Sequence, residues 1–242
     1  MIPAIAHGQK FIQAYSSISA LNATFWIIQD AGFAKQEGLD TELVYIPSSS
    51  TVAQATLAGE VMISPANGQV IADAQLAATQ DAGAQIALMN PGGIRTVVGM
   101  PADGQLRYED LFSVQPFYNN LVTMTLTGAQ LQQVLEQQWI NQPTPRMLQV
   151  SRGFSYSWDA NAPVGQRVVP GSVKLAGQPI AATSRVRITV NGFLASGGDS
   201  FTALKQGQES RTGMMDIDAF ELFVKNNPGL MPGPLDRITR MN

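Results

Sequence analysis

Residues 86–95 read IALMNPGGIR, and residues 190–201 read VNGFLASGGDSF. Each begins as an apolar run long enough for a buried strand and ends in a glycine-rich turn. Each turn carries one charged side chain suited to contact a ligand, Arg95 in the first and Asp199 in the second. Glycines at these turns permit positive φ and close approach of the backbone to a ligand. They are Gly92, Gly93, Gly197 and Gly198. The two segments therefore predict strands of an α/β fold whose ends carry a binding site.

The composition limits the classes of function. Hydrophobic residues make up 45% of the 242 positions, enough to bury a sizeable core. The net charge is −3 and there is no basic run, so we expect no nucleic acid partner. No apolar stretch reaches the roughly 20 residues of a membrane span, and the opening MIPAIAHGQK predicts no secretory signal. With no cysteine, the chain has no disulfide and no thiolate metal site.

The first quarter of the chain alternates strand and helix patterns. Short β-rich runs lie at 11–15, 41–46 and 61–63, and helical patterns lie between them at 22–37 and 52–58. This βαβαβ order favours a parallel sheet with right-handed crossovers.

The segment FWIIQDAGFAKQEGLDTELVYIPSSSTVAQATLAGEV (25–61), with YSSIS before it, resembles the start of periplasmic ABC-transporter substrate-binding proteins of the nitrate, sulfonate and thiamine-precursor class. The resemblance covers about residues 10–63. It implies a small-ligand or anion site formed by the loop after the first strand and the start of the second helix. Those positions are Ser16, Ser17, Ser48, Ser49 and Ser50. We favour the alternative that these serines cap helices, because half of that family's cleft is missing.

The rest of the chain, 64–242, resembles the 5'-nucleotidase C-terminal domain. Five segments carry the resemblance in order and with similar spacing: NGQVIADAQLAAT (67–79), IALMNPGGIR (86–95), LRYEDLFSVQPFYNNLVTMTLTGAQLQQVLEQ (106–137), LQVSRGFSYSWD (148–159) and VNGFLASGGDSF (190–201). The local patterns also predict helices at 108–114, from Thr127 and from Asp216 or Asp218 to Lys225. They predict strands at 121–126, 148–158 and 186–190.

The resemblance implies a weak nucleoside or nucleotide site. In that family the base stacks between two phenylalanines, which here are Phe117 and Phe193, and an aspartate matching Asp199 binds the ribose. Asn90 and Arg95 match residues that contact the base and the phosphate or ribose. Stacking contributes about 1–3 kcal/mol per base. The alternative for the two phenylalanines is ordinary core packing.

One arginine of the family pattern is missing. Family members carry it just before a Gly-Asn pair, whereas this chain has the reversed pair Asn67-Gly68 and no arginine between Lys35 and Arg95. One phosphate contact is therefore expected to be lost.

No catalytic apparatus is expected. A nucleotidase holds two metal ions with histidines, aspartates and an asparagine, and the only histidine here is His7. We therefore predict no catalytic residue, no metal site, no cofactor and no hydrolase activity.

Two architectures are compatible with these patterns. We favour one hybrid sheet in which strands 11–15, 41–46, 61–63 and 86–90 lie in the order 2-1-3-4, so that segments 1–63 and 64–242 fold as one unit. The alternative is a separately folded N-terminal appendage.

Three hypotheses about function are compatible with these residues. The favoured one is a non-catalytic chimera that keeps a remnant nucleotide site. The alternatives are a recombinant fold without function and a fragment of a hydrolase that needs a separate metal domain.

Overall fold

The computed structural model describes residues 10–15, 40–45, 68–95, 107–228, 230 and 236–241. The chain divides into two compact units, one of residues 1–66 with 95–98 and the other of residues 67–94 with 99–242.

In the first unit, strand β1 (Lys10–Tyr15) pairs in parallel with β2 (Asp40–Tyr45). The predicted strands 11–15 and 41–46, and their parallel pairing, are confirmed. The predicted strand 61–63 and the two intervening helices lie outside the described residues, as do Ser16, Ser17, Ser48, Ser49 and Ser50.

The second unit is a mixed α/β arrangement of two sheets. One sheet has the order β10-β4-β9-β3-β5 and the other β11-β6-β7-β8. The strands are β3 (Ile86–Met89), β4 (Asn120–Thr127), β5 (Gln149–Val150), β6 (Phe154–Asp159), β7 (Lys174–Leu175), β8 (Gln178–Pro179), β9 (Arg185–Asn191), β10 (Gln208–Met215) and β11 (Ile238–Met241). The helices are α1 (Gly68–Ala77), α2 (Tyr108–Val114), α3 (Gly128–Glu136), α4 (Gly192–Ala195) and α5 (Asp216–Asn226). The predicted α/β fold class is confirmed.

Strand β3 decides the topology, and here the predicted hybrid sheet is wrong. β3 pairs in parallel with β9 on one side and antiparallel with β5 on the other. A strand has two hydrogen-bonding edges, so β3 has no edge left to continue the sheet of β1 and β2. Its four residues are all buried, as a continuous apolar run predicts, but periodicity does not say which strands flank it.

Helix α3 closes the core over the larger sheet. Thr127 begins it with a reciprocal cap, in which Thr127 Oγ1 accepts from the Gln130 backbone N–H at 3.2 Å and Gln130 Oε1 accepts from the Thr127 N–H at 2.8 Å. Leu131 and Leu135 on its inner face are completely buried. The core is continuous with β6, through the buried rings of Phe154 and Tyr156.

The segment 148–158 is not the single strand that its alternation predicts. It forms β5 and β6, which are separated by a turn at Ser151–Gly153. Gly153 has φ of 85°, which favours glycine and turns the chain between the two sheets.

Candidate functional site

The two glycine-rich turns lie at the same end of the larger sheet, where β3 and β9 finish. β3 and β9 are parallel neighbours, with Ile86 opposite Ile188. After β3 come Asn90 and a single 3-10 turn at Pro91–Gly93. After β9 come α4 and a second turn at Gly198–Ser200. The open edge beyond the carboxyl ends of parallel strands is where α/β folds place ligands.

Asp199 is the meeting point of these turns. Its Oδ2 accepts a hydrogen bond from Asn90 Nδ2 at 2.8 Å, and its Oδ1 lies 2.7 Å from Arg146 Nη1 in an ion pair. The Asp199 side chain is 13% exposed. Its φ is 53°, a conformation that asparagine and aspartate tolerate better than most residues. Gln142 Nε2 donates to the Asp199 carbonyl at 2.6 Å and so fixes the turn from the side.

A chain of amides sets the direction of these hydrogen bonds. Asn191 Oδ1 accepts from the backbone N–H of Leu194 at 2.9 Å, which orients the Asn191 amide. Asn191 Nδ2 then donates to Asn90 Oδ1 at 3.0 Å, and this leaves Asn90 Nδ2 to face Asp199. Both side chains that contact the Asp199 carboxylate are therefore donors. Position 199 must present two acceptors, and only a carboxylate does so.

Gly92 leaves this cluster approachable. A Cβ at Gly92 would lie 3.4 Å from Asp199 Oδ2, 3.5 Å from Asn90 Nδ2 and 3.8 Å from Arg146 Nη1. These are ordinary contact distances, so the three polar groups converge on one point that a side chain would cover. Gly93 has no such space, because a Cβ there would meet Met89 Cε and Asn90 Oδ1.

Phe117 and Phe193 lie on the surface and not in the core. Their residues are 40% and 45% exposed. Phe193 stands in α4 directly after β9, and Phe117 stands just before β4. Because β4 runs antiparallel to β9 with Leu121 opposite Asn191, both aromatic residues come from the same end of the sheet.

Each ring has its own support. The Phe193 ring covers Gly198, where three of its carbons lie within 2.7 Å of the position a Cβ would take. The Phe117 segment is tied to α5, since the Asp216 backbone N–H donates to the Asn119 carbonyl at 2.8 Å and Asn119 Nδ2 donates to Asp216 Oδ2 at 3.2 Å. Burial raises the pKa of Asp216, and the hydrogen bonds from Asn119 and Ile217 oppose that shift.

The structure brings together only part of the predicted set. Asn90 and Asp199 are hydrogen bonded, and Gly92 and Gly93 form the turn beside them. Arg95 is half-buried and lies two residues after the Pro91–Gly93 turn.

Three residues of the Asp199 cluster were not predicted from the sequence. Asn191 could have been found, because it stands at the helix N-cap position inside VNGFLASGGDSF. Gln142 and Arg146 lie in the NQPTPRM loop, which has no periodic pattern and matches none of the five segments.

Among the described residues, no group of three or more His, Asp or Glu side chains is placed to hold a metal ion. Within that same part of the chain, no helix combines the length and apolar character needed to cross a membrane.

Comparison with known proteins defines the family. The model of the "5'-nucleotidase, C-terminal domain" family matches residues 49–206, so the chain belongs to that family. The cell wall protein Lmo0130 of Listeria monocytogenes is 27% identical over 214 residues, which cover 85% of this chain and 27% of that protein. The trifunctional nucleotide phosphoesterase YfkN of Bacillus subtilis is 32% identical over 163 residues, which cover 63% of this chain and 11% of that protein.

A solved structure shows the same fold. The 5'-nucleotidase precursor from Thermus thermophilus superposes with a TM-score of 0.62 at 35% identity, over 72% of this chain and 35% of that one. The chain therefore spans about a third or less of the length of these relatives. The chain therefore corresponds to one part of these longer proteins.

The comparisons give no support to a substrate-binding-protein origin for residues 10–63 or to a chimera. The family model begins at residue 49, inside that segment. The Listeria alignment covers so much of the chain that it takes in a further part of the same segment. A single relative thus spans the junction that the two resemblances predicted.

Proposed function

We propose that this chain is a nucleotide-binding part of a nucleotidase-type protein. It binds the nucleoside moiety at the glycine-rich turns that follow β3 and β9 of the larger sheet. The base lies between Phe117 and Phe193, and the ribose lies over Gly92 against Asp199. The observation that carries the proposal is the Asp199 carboxylate, which accepts from two donors and lies beside the space that Gly92 leaves without a side chain.

The chemistry of the carboxylate suits a sugar. Among the described residues, each Asp199 oxygen accepts one hydrogen bond, and each oxygen has two lone pairs. One acceptor site per oxygen is therefore left for the ribose hydroxyls. Every base has a π-face, so the two surface phenylalanines would support adenine, guanine or a pyrimidine alike.

The proposal gives this chain no part in the hydrolysis of the phosphate ester. Hydrolysis of a phosphate ester by this class uses two metal ions, and the described residues hold no metal-binding group. The chain spans only a small share of its enzymatic relatives. We infer that it binds without hydrolysing, and that phosphate release from AMP with added Mn²⁺, Zn²⁺ or Co²⁺ equals the buffer blank. Metal-dependent turnover that survives repurification would contradict this inference.

Calorimetric titration with adenosine and AMP tests the binding. We expect a dissociation constant in the high-micromolar to millimolar range, about −4 to −6 kcal/mol, because the upstream arginine is missing. Phe193→Ala should abolish measurable binding. Leu222→Ala removes a similarly exposed apolar side chain from α5 and should leave the affinity unchanged.

A second variant tests the sugar subsite. Gly92→Ala places a methyl group at ordinary contact distance from its neighbours, so the protein should fold with nearly unchanged stability. The methyl group covers the point where the three polar groups converge, so the affinity for adenosine should fall by roughly tenfold or more. If wild-type protein at millimolar nucleoside gives no heat and no NMR shift, the proposed function is wrong.

A further inference from the structure

The backbone that carries Arg146 is anchored to a buried side chain of the core. The Arg146 backbone N–H donates to the Gln138 carbonyl at 2.8 Å, and two residues later the Leu148 N–H donates to Gln138 Oε1 at 2.7 Å. Gln138 is completely buried and also accepts from the Tyr156 hydroxyl at 3.0 Å. The segment that carries Arg146 is therefore anchored in the core, and the side chain reaches Asp199 from a fixed backbone.

The guanidinium has donors to spare at the place where the site is open. Within the part of the chain that the structure describes, the hydrogen bond of this side chain runs from Nη1 to Asp199 Oδ1 at 2.7 Å. A guanidinium carries five N–H groups in a rigid fork. The Arg146 side chain is 34% exposed, and its Nη1 lies 3.8 Å from the position that a Cβ at Gly92 would take, so the guanidinium borders the open space at Gly92.

An aspartate and an arginine side by side match a vicinal diol. A hydroxyl group donates one hydrogen bond and accepts others, so it can donate to Asp199 and accept from Arg146 at once. The ion pair is neutral overall, so an uncharged sugar is not disfavoured. A sugar that lacks one hydroxyl leaves charged groups with fewer partners, and sites of this kind discriminate strongly against such analogues.

We propose that Arg146 is a specificity-determining residue of this site, which reads the ribose hydroxyls together with Asp199 and makes the site prefer ribonucleosides to 2'-deoxyribonucleosides. The inference rests on the proposed nucleoside site. It adds a second role for the same residue, because Arg146 also positions the Asp199 carboxylate for the sugar.

The test compares adenosine with 2'-deoxyadenosine on the full chain by calorimetry, supported by NMR. Wild-type protein should bind adenosine about tenfold more tightly than 2'-deoxyadenosine. Arg146→Met should bring the two affinities to within about twofold, mainly by weakening adenosine. Arg146→Lys keeps one charged donor and should restore part of the preference.

The preference ratio separates specificity from a merely structural role. General damage to the site weakens both ligands together and leaves the ratio unchanged, so an unchanged ratio in Arg146→Met overturns the inference. Equal binding of the two nucleosides by wild-type protein overturns it as well, but leaves the nucleoside site standing. No binding of either nucleoside overturns both proposals. If Arg146→Met does not fold, the ratio of Arg146→Lys decides, and a wild-type ratio there is the contrary result.

Discussion

Replacement of Asp199 by asparagine tests whether its two neighbours are both donors. In the wild-type protein the carboxylate accepts from Asn90 Nδ2 at 2.8 Å and from Arg146 Nη1 at 2.7 Å. An asparagine offers one acceptor and one donor, so its amide must point an N–H₂ group at one of these donors. Asn90 is buried and has almost no access to solvent, whereas Arg146 is partly exposed, so the favoured arrangement keeps the bond from Asn90 and loses the charge-assisted bond from Arg146.

The cost follows from the bond that is lost. A hydrogen bond to a charged group contributes about 1.5–3 kcal/mol. The Arg146 side chain is a third exposed, and solvent screens the pair, so the lower half of that range applies. Asp199→Asn should therefore lower the free energy of unfolding by about 2 kcal/mol. Urea unfolding should show a lower midpoint with an unchanged slope.

A double-mutant cycle isolates the cause. In the Arg146→Met background no guanidinium faces position 199, so the amide can place its N–H₂ group there, and Asp199→Asn should cost about 1 kcal/mol or less. Asp218→Asn, which changes an exposed carboxylate on α5, should have little effect in either background. If Asp199→Asn is as stable as wild type, or costs the same with and without Arg146, the assigned network is wrong.

Three further changes have defined outcomes. Gly198→Ala should displace the Phe193 ring that covers it and weaken nucleoside binding by about 1–3 kcal/mol, with little change in thermal midpoint because the ring is exposed. Glu136→Gln should lower the free energy of unfolding by about 1–3 kcal/mol in urea, since the buried carboxylate accepts from two backbone N–H groups, whereas exposed Glu109→Gln should not. Because burial raises the pKa of Asp216, the folded state keeps a proton that the unfolded state has lost. The free energy of unfolding should therefore fall as pH rises from about 4 through the folded pKa, and this component of the pH profile should be absent from Asp216→Asn.

Local pattern was enough for most of the described elements. The helix at 108–114 has the predicted bounds, and β4 and β9 extend the predicted strands by a residue or so at each end. Helix α5 begins at Asp216, one of the two predicted starts. These succeed because strand alternation, helix caps and glycine turns depend on residues a few positions apart. The predicted strand 148–158 failed at Gly153, where one positive φ divides it between two sheets.

The site was predictable only in its motif residues. Asn90 and Asp199 lie in glycine-rich turns that mark a place of close approach, and the structure joins them across 109 positions. Arg146 is 53 positions from Asp199 and lies in a loop without periodicity, so no local signal identifies it. Its contact depends on Gln138, which anchors the loop from inside the core.

The sequence by itself determined the family, the type of most described elements and the residue types in the glycine-rich turns after β3 and β9. Tertiary structure alone decided that β3 lies between β9 and β5 instead of continuing a sheet from the N-terminal segment. The physical reason is that a buried apolar strand can pair with any strand of matching register, so its neighbours are chosen by packing of the whole chain. The same holds for Asp199, whose need for two acceptors follows from donors that the fold brings to it.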